Sequence, residues 1–514
     1  MAIILEQTKR NVIPNWRKFE KTLILGELGY SKATKNLDID ISRTLIDWKN
    51  NKSIGIAADL LNSAFISDKK TSKEVSEAAL FVLKNQFLSS YSLTDLARNI
   101  IKDSPFSEFN IIEESNKVKL YNFDELQESS NQSLIFKKIH DTKFLAFNQN
   151  RNPIIWVELA RLYASVGQEF KALQAMEIAL SISPSNRFVL RSATRLFVHF
   201  GISEKALYYL KKSESIKFDP WLISAHIATS TILKRYSPFI KDANKLVLSK
   251  KFSDFDLTEL TSSLGTLEYF NGSLKDTKKL FNLSLKHPND NSLAQIEWVS
   301  NHSKKSLINF DLINYKNVIA HEAFAIDNYE RGLWNNALEN TINWIMDIPY
   351  SKTPVILGSY IACCLLNQFD KAIELCKFGL KANPNDPIIL NNIIYSLTLN
   401  DEVDKVKPYI EHLEKIKRAD LSDDIKTSIK ATLGLVAFRE KNIAFGKRLY
   451  KEAIEETKDE RGKFIAMYNY LRELIFINDS EKDILIKKIK ESKNSETDIK
   501  HLKRKIEQLY IEFI

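Results

Sequence analysis

Glycine and proline are scarce in this sequence. Glycine supplies 13 of the 514 residues and proline 12, whereas glycine alone makes up about 7% of an average protein. Folds that depend on tight turns and glycine-rich loops, such as β-sandwiches, propellers and most nucleotide-binding α/β enzymes, are therefore disfavoured. Leucine, isoleucine, lysine, asparagine and glutamate are abundant instead, and this composition predicts a mostly helical protein.

Cysteine is also rare. Cys363, Cys364 and Cys376 are too few for a disulfide framework and indicate a reducing compartment. No histidine lies near them, so we predict no metal site and no cofactor. The first residues, MAIILEQTKR, lack the basic and apolar regions of a signal peptide. We therefore expect a cytoplasmic protein.

Long hydrophobic runs and a strong charge excess are absent as well. The longest apolar stretch, about Val355–Leu366, is shorter than the ~20 residues that cross a bilayer, so we predict no membrane association. The formal net charge is +9 and the isoelectric point is about 9.0. Over a chain of this length, that charge permits an acidic protein or a nucleic acid as partner without requiring either.

The middle of the chain repeats with a fixed period of about 34 residues, a length typical of stacked helical units. The segment Pro153–Pro184 places apolar, small and turn-forming residues at fixed intervals. Counted from Pro153 as position 1, these residues are Trp156 (4), Leu159 (7), Ala160 (8), Tyr163 (11), Gly167 (15), Ala172 (20), Ala179 (27) and Pro184 (32). The next unit begins at Arg187, and Ala206 occupies the same position in it as Ala172 does in the first.

Later segments repeat parts of this pattern. Glycine or alanine recurs at the same positions in Gly272, Gly332, Ala337, Ala372, Gly434 and Ala453. Small residues at positions 8 and 20 let two helices approach closely, and proline at position 32 ends the second helix. Because one helix pair cannot bury its apolar side alone, the pairs must stack. We predict about eight helix pairs between residues 153 and 460.

The pattern resembles the tetratricopeptide repeat, a helix–turn–helix unit of the same length. The resemblance implies an all-α fold, a right-handed α-α superhelical solenoid at 153–475 whose concave groove binds another protein or a peptide. A helical N-terminal domain at 1–102 and a loop-rich connection at 103–150 precede it. A charged helical tail at 480–514 follows, and we expect it to cap the last repeat. A partner helix and a basic nucleic-acid contact are the alternative roles of the tail.

Residues 29–52, GYSKATKNLDIDISRTLIDWKNNK, also resemble the helix-turn-helix of phage-repressor type. The resemblance implies a recognition helix on which Ser42 and Arg43 would contact DNA. Lys35 and Asn36 depart from that pattern, since small or apolar residues are needed where the two helices cross. An ordinary helical hairpin is the alternative.

Basic and amide side chains are expected in the groove. In the resembled family, positions 2, 5, 9, 12 and 13 of the first helix tend to face the concave surface. Those positions hold Arg161 in the first unit, Arg191, Arg195 and His199 in the second, and Asn391 and Tyr395 in a later one. Three guanidinium groups in one groove would suit an acidic peptide segment, since each offers a fork of donors. The alternative is that these arginines are solvated or pair with nearby glutamates.

Catalytic motifs are not found. The sequence has no GxxxxGK[ST], GxGxxG after a strand or GxSxG, and His321–Glu322 lacks the second histidine of a zinc protease, since Ala325 stands there. We therefore predict a non-catalytic scaffold or sensor, in the setting of a regulatory subunit of a bacterial effector or defence system. A DNA-binding regulator with a repeat sensor domain and a nucleic-acid-associated subunit are the alternatives. The sequence is compatible with a homo-oligomer and with a monomer.

Overall fold

The computed structural model describes most of the chain. The described residues are 1, 41–50, 52, 54–66, 71–85, 91–102, 121–129, 132–148, 150, 152–249, 252–302, 307–308, 310–316, 318–417, 419, 421–492, 494 and 496–512. All regular structure in these ranges is helical, so the predicted all-α fold is confirmed. The first helix of the suggested helix-turn-helix lies outside the described residues.

Twenty-six α-helices cover the described ranges. In chain order they are α1 (Ile41–Asn50), α2 (Ile54–Ile66), α3 (Lys73–Lys84), α4 (Tyr91–Lys102), α5 (Phe123–Ser129), α6 (Gln132–Asn148), α7 (Pro153–Ser165), α8 (Glu169–Ile182), α9 (Arg187–His199), α10 (Ser203–Lys212), α11 (Pro220–Ile232), α12 (Ile240–Leu248), α13 (Asp254–Phe270), α14 (Leu274–Ser284), α15 (Asp290–His302), α16 (His321–Glu330), α17 (Trp334–Asp347), α18 (Lys352–Tyr360), α19 (Phe369–Ala382), α20 (Pro387–Leu399), α21 (Lys407–Glu414), α22 (Asp423–Arg439), α23 (Ile443–Glu456), α24 (Glu460–Phe476), α25 (Glu481–Glu491) and α26 (Thr497–Glu512). Three 3₁₀ turns (Ile216–Phe218, Leu312–Tyr315 and Val403–Lys405) and one π-helical turn (Ile361–Leu365) complete the list.

The helices fall into two compact units. The first, called here the N-unit, holds α1–α4 and α6–α15. The second, the C-unit, holds Met1, α5, α16 from Phe324 onward, and α17–α26. Each unit is described by itself below.

Helices α1–α4 pack around a core of their own in the N-unit. Trp48, Leu60, Leu61 and Val75 are almost completely buried there. Ser72 begins α3, because its side chain accepts a hydrogen bond from the backbone N–H of Val75 at 3.2 Å. The apolar stripes of four short helices thus account for this core.

Most of the remaining helices form pairs that share one turn. The first helix of each pair is called the A helix here and the second the B helix. The nine described pairs are α7/α8, α9/α10, α11/α12, α13/α14, α16/α17, α18/α19, α20/α21, α22/α23 and α24/α25. In each of these turns one residue has a left-handed backbone, namely Gly167, Gly201, Lys234, Gly272, Gly332, Asn367, Asp401, Lys441 and Asn478.

A backbone hydrogen bond closes each turn. The N–H of Gln168, just after Gly167, donates to the carbonyl of Tyr163 at 3.0 Å. This bond spans five residues and marks a Schellman motif, which ends a helix by satisfying a carbonyl that would otherwise lack a partner. The same bond follows the left-handed residue in the other pairs. In the α18/α19 pair the equivalent bond runs from the N–H of Gln368 to the carbonyl of Ala362. It spans six residues, because the π-helical turn inserts one extra residue.

Small buried residues allow the close packing within a pair. Ala172 of α8 and Ala206 of α10 are 0% and 1% exposed, as their shared position in the repeat predicts. Within the N-unit the A helices α7, α9, α11 and α13 contact one another in succession, and within the C-unit α18, α20, α22 and α24 do the same. Within each unit these contacts make a solenoid, and the predicted solenoid class is confirmed.

The arrangement of helices differs from the sequence prediction in two places. Helix α15 has no B helix, because residues 307–320, where described, form only a 3₁₀ turn and irregular backbone. This interruption separates the first four pairs from the later ones. The stretch 103–150 was predicted to be loop-rich, but α5 and the 17-residue α6 lie within it. Helix α6 packs on α7 and so extends the solenoid at its start.

Candidate binding site on the first helices of the pairs

The predicted basic residues lie on two neighbouring A helices of the N-unit. Arg161 lies on α7, and Arg191, Arg195 and His199 lie on α9. Helices α7 and α9 contact each other, so these side chains lie on adjacent A helices. Their surroundings, however, differ from one arginine to the next.

Arg161 is buried, which corrects the expectation that it points into solvent. The residue is 6% exposed, because α6 and α9 pack beside α7. Its Nη1 lies 3.5 Å from Oε1 of Glu158, one turn earlier on the same helix. The buried Nε has no hydrogen-bond partner among the described residues. The Nε–H group of Arg161 is therefore a hydrogen-bond donor that still lacks an acceptor among the described residues.

Arg191 is engaged by an acid of the chain itself. Its Nη2 donates to Oε1 of Glu259, on α13, at 2.7 Å. Glu259 is 1% exposed and also accepts from Nδ2 of Asn289 and of Asn291, each at 2.8 Å. The prediction that Arg191 serves an incoming acid is therefore wrong for this structure, because its Nη2 already donates to a buried carboxylate.

An aromatic ring and a second ion pair hold the same region together. The Trp221 ring of α11 lies 4.8 Å from the Arg191 guanidinium and 5.5 Å from that of Arg187. Arg187 in turn donates from Nε to Oδ2 of Asp219 at 2.8 Å, and the two side chains are 3% and 1% exposed. Sequence reasoning missed this pair. The Asp219–Pro220 dipeptide signals a helix start, but nothing local indicates a partner 32 residues earlier.

Arg195 and His199 are the more accessible members of the row. Both are half-buried on α9. The buried Nε of Arg195 has no hydrogen-bond partner among the described residues. The His199 ring lies 4.8 Å from the ring of the adjacent Phe200. Arg195 therefore offers solvent a guanidinium that no carboxylate of the described residues neutralises within ion-pair distance.

The amide and tyrosine predicted in a later repeat are core residues of the C-unit. Asn391 and Tyr395 are 0% and 1% exposed on α20. Nδ2 of Asn391 donates to the Met1 carbonyl at 2.7 Å, and the Tyr395 hydroxyl donates to Oδ1 of Asn469. Neither residue lines an open surface, because α22 and other parts of the C-unit cover α20.

The suggested DNA-contact residues lie on α1. Ser42 is exposed there, and nothing is described of the Arg43 side chain. Trp48, on the same helix, is 1% exposed and packs edge-on against Phe81 with ring centroids 5.5 Å apart. The role of α1 in DNA binding stays a prediction.

The cysteines lie inside the C-unit. Cys363 and Cys376 are buried, and burial raises the pKa of the Cys376 thiol to about 12. Among the described residues, no three His, Cys, Asp or Glu side chains gather as a metal site would require. No helix in the same part of the chain is both long and apolar enough to span a membrane.

Comparison with known proteins gives weak likenesses. No protein-family profile matches the chain. It is 25% identical to the BBSome complex member BBS4 of Bos taurus over 104 residues, which span 20% of this chain and 20% of that protein. Among solved structures, yeast Tom70 has 15% identity and a TM-score of 0.30, covering 76% of this chain and 96% of Tom70. Human IFIT1, in a dimer with m7Gppp-AAAA, has 10% identity and a TM-score of 0.26, covering 96% and 97%.

These TM-scores lie below 0.5, so the assignment rests on the helix pairs themselves. Nine described pairs end their A helix in the same left-handed turn, and Gly167 and Gly201 stand one repeat period apart in that turn. Successive A helices contact each other from α7 to α13 and from α18 to α24. The pairs resemble tetratricopeptide repeats in length and in the turn that joins their helices. In the N-unit, the adjacent A helices α7 and α9 carry the predicted basic residues.

Proposed function

We propose that this protein is a non-catalytic scaffold that captures an acidic segment of a partner protein on the A helices α7 and α9. The observation that carries the proposal is Arg195, a half-buried guanidinium with a buried Nε that has no partner among the described residues. Arg161, on the adjacent A helix, is 6% exposed and adds a positive charge beneath the same surface. The wider role in a bacterial effector or defence system stays a prediction of the sequence.

An acidic ligand suits these two side chains for an energetic reason. A guanidinium nitrogen that water reaches can donate to an incoming carboxylate, and a hydrogen bond to a charged group contributes about 1.5–3 kcal/mol. Charge-assisted bonds to a guanidinium are also roughly twice as strong as neutral ones. Arg191 and Arg187 stay neutralised by Glu259 and Asp219, so they form the rigid floor of the site and take no direct part in capture.

The spacing of the A helices suggests the spacing of the acids. Packed helices lie about 8–10 Å apart, and an extended peptide rises about 3.3 Å per residue. Carboxylates about three residues apart would therefore lie over α9 and α7 together, one beside Arg195 and one above the buried charge of Arg161. Arg195 should contribute more than Arg161, because Glu158 already lies 3.5 Å from Arg161.

Fluorescence anisotropy with a labelled peptide tests the proposal. The probe carries aspartates three residues apart, and its partner probe has asparagine at the same positions. We expect the aspartate peptide to bind at least tenfold more tightly to the wild-type protein. The Arg161→Gln/Arg195→Gln variant should lose this preference. The matched variant Lys211→Gln/Lys212→Gln removes the same charge from exposed positions of α10 and should keep it.

A nucleic-acid function would give a different result in the same assay. Binding of a labelled single-stranded RNA or duplex DNA would show a steep loss of affinity with salt, because phosphate contacts release counterions. If nucleic acid binds more tightly than the acidic peptide and neither arginine matters, the scaffold proposal is wrong. The DNA or RNA alternatives would then take its place.

A further inference from the structure

Helix α26 packs against the A-helix row of the C-unit. It contacts α24 and the π-helical turn Ile361–Leu365 that follows α18. Its buried stripe is Ile499, Leu502 and Ile506, which are 0%, 1% and 6% exposed. The helix thus does more than cap the last pair, since it binds along several A helices as a ligand would.

One carboxylate at the start of α26 collects donors from three different A helices. Asp498 is 1% exposed. Its Oδ2 accepts from the hydroxyls of Tyr329, on α16, and of Tyr360, on α18, each at 2.8 Å. Nη2 of Arg461, on α24, donates to the same oxygen. Burial, and then the Asp498 charge, raises the pKa of both tyrosines well above the usual range, so both hydroxyls keep the proton they donate.

The other end of the contact uses the π-helical turn. A helix ends with carbonyls that lack partners inside the helix. The Cys364 carbonyl accepts from Nζ of Lys505 at 2.9 Å, and the Leu365 carbonyl lies 3.1 Å from Nε2 of His501. Oδ1 of Asn367 accepts from the same Lys505 ammonium at 2.8 Å. Two basic side chains of α26 therefore complete the end of an A helix.

We infer that the A-helix row of the C-unit is a helix-binding site, and that α26 is its resident ligand. The site fits a partner helix that opens with an aspartate and carries apolar residues one, four and eight positions later. Basic residues three and seven positions after the aspartate would reach the carbonyls of the π-helical turn. Three polar donors at one end and helix-terminal carbonyls at the other select the direction as well as the position of such a helix.

Competition in trans tests the inference on the full-length chain. The probe is a labelled peptide of residues 496–512, ETDIKHLKRKIEQLYIE. In the wild-type protein, α26 fills the site and the probe should bind weakly. Asp498→Asn weakens the resident helix, so this variant should bind the wild-type probe at least tenfold more tightly. A probe that itself carries Asp498→Asn should not show the gain. Glu507→Gln, at an exposed position of α26, should behave as wild type.

A variant that fails to fold is distinguishable from a failure of the inference. If Asp498→Asn does not fold, the same measurement on Lys505→Gln weakens α26 at its other end and leaves the Asp498 cluster intact. Equal binding of both probes, or no binding by either folded variant, would overturn the inference. A concentration-dependent dimer that the probe disperses would assign the site to the α26 of a second copy of the chain, and would overturn the proposal of a partner helix.

Discussion

Nε of Arg187 lies 2.8 Å from Oδ2 of Asp219, and both side chains are almost completely shielded from water. Asp219 has a second task, because its Oδ1 accepts from the backbone N–H groups of Trp221 and Leu222 at the start of α11. One buried aspartate therefore ties α9 to the N-terminus of the next A helix. The orientation of successive repeats in this part of the N-unit depends on it.

Loss of Arg187 should destabilise the protein strongly. Arg187→Met leaves a buried carboxylate without its cation, and breaking a buried pair in this way costs about 3–5 kcal/mol. The Arg187→Met/Asp219→Ser double variant should recover part of the loss, because serine still caps a helix. Arg235→Met removes half of an ion pair with Glu204 that is more than half exposed, and should cost less than about 1 kcal/mol. Urea unfolding measures the free energy of unfolding of all three variants. Equal losses of stability in Arg187→Met and Arg235→Met would contradict the role of burial.

Replacement of Ala172 by arginine should disrupt the first repeat. Ala172 is completely buried between α7 and α8. Even added methylenes cost about 1–3 kcal/mol in a packed core, so a guanidinium should exceed about 3 kcal/mol. Phe170→Arg introduces the same side chain two residues earlier, where the native side chain is 79% exposed, and should change the free energy of unfolding by about 0.5 kcal/mol or less. An unchanged melting temperature for Ala172→Arg would show that the assigned repeat position is wrong.

The stability of the N-unit should fall in mild acid because of His226. Burial, and then the nearby Lys211 charge, lowers the pKa of His226 from 6.5 to about 4. The unfolded chain therefore binds the proton more tightly, so the stabilisation is complete above pH 6.5 and is lost as the pH falls toward 4. At 1.36 kcal/mol per pKa unit, about 2 kcal/mol should disappear between pH 7.5 and 5. Urea midpoints across this range test it, and His226→Gln should remove this part of the pH dependence. A wild-type protein with the same slope as the variant would contradict the prediction.

The repeat and its turns were predictable because they are local. Ala172 and Ala206 share one position in consecutive repeats, and the structure buries both in the same way. Gly167 and Gly201 marked the turn, where a left-handed backbone favours glycine. Lys441 and Asn478 occupy the same turn without glycine, so composition alone could not show that these pairs are built alike.

The partners of the site residues were not predictable from spacing. Arg191 pairs with Glu259, 68 residues later, and this contact exists only after several pairs have stacked. Asp498 meets Tyr329 across 169 residues in the same way. A repeat pattern predicts which face a side chain occupies, but the acid that neutralises it depends on the curvature of the stacked helices. Arg161 and Arg195 lie on adjacent A helices, and the repeat pattern did not predict that Arg161 is buried.

The central claim is that Arg195 binds a carboxylate of the partner segment, and a double-mutant cycle tests it most directly. The cycle compares wild-type protein and Arg195→Gln, each against the aspartate peptide and the peptide with asparagine at the same position. Residues in direct contact show coupling energies of about 0.5–3 kcal/mol, whereas independent sites add. We predict a coupling of at least about 1 kcal/mol at low salt that shrinks as the salt concentration rises. A coupling of zero, with both single changes purely additive, would contradict acid capture by the A helices α7 and α9.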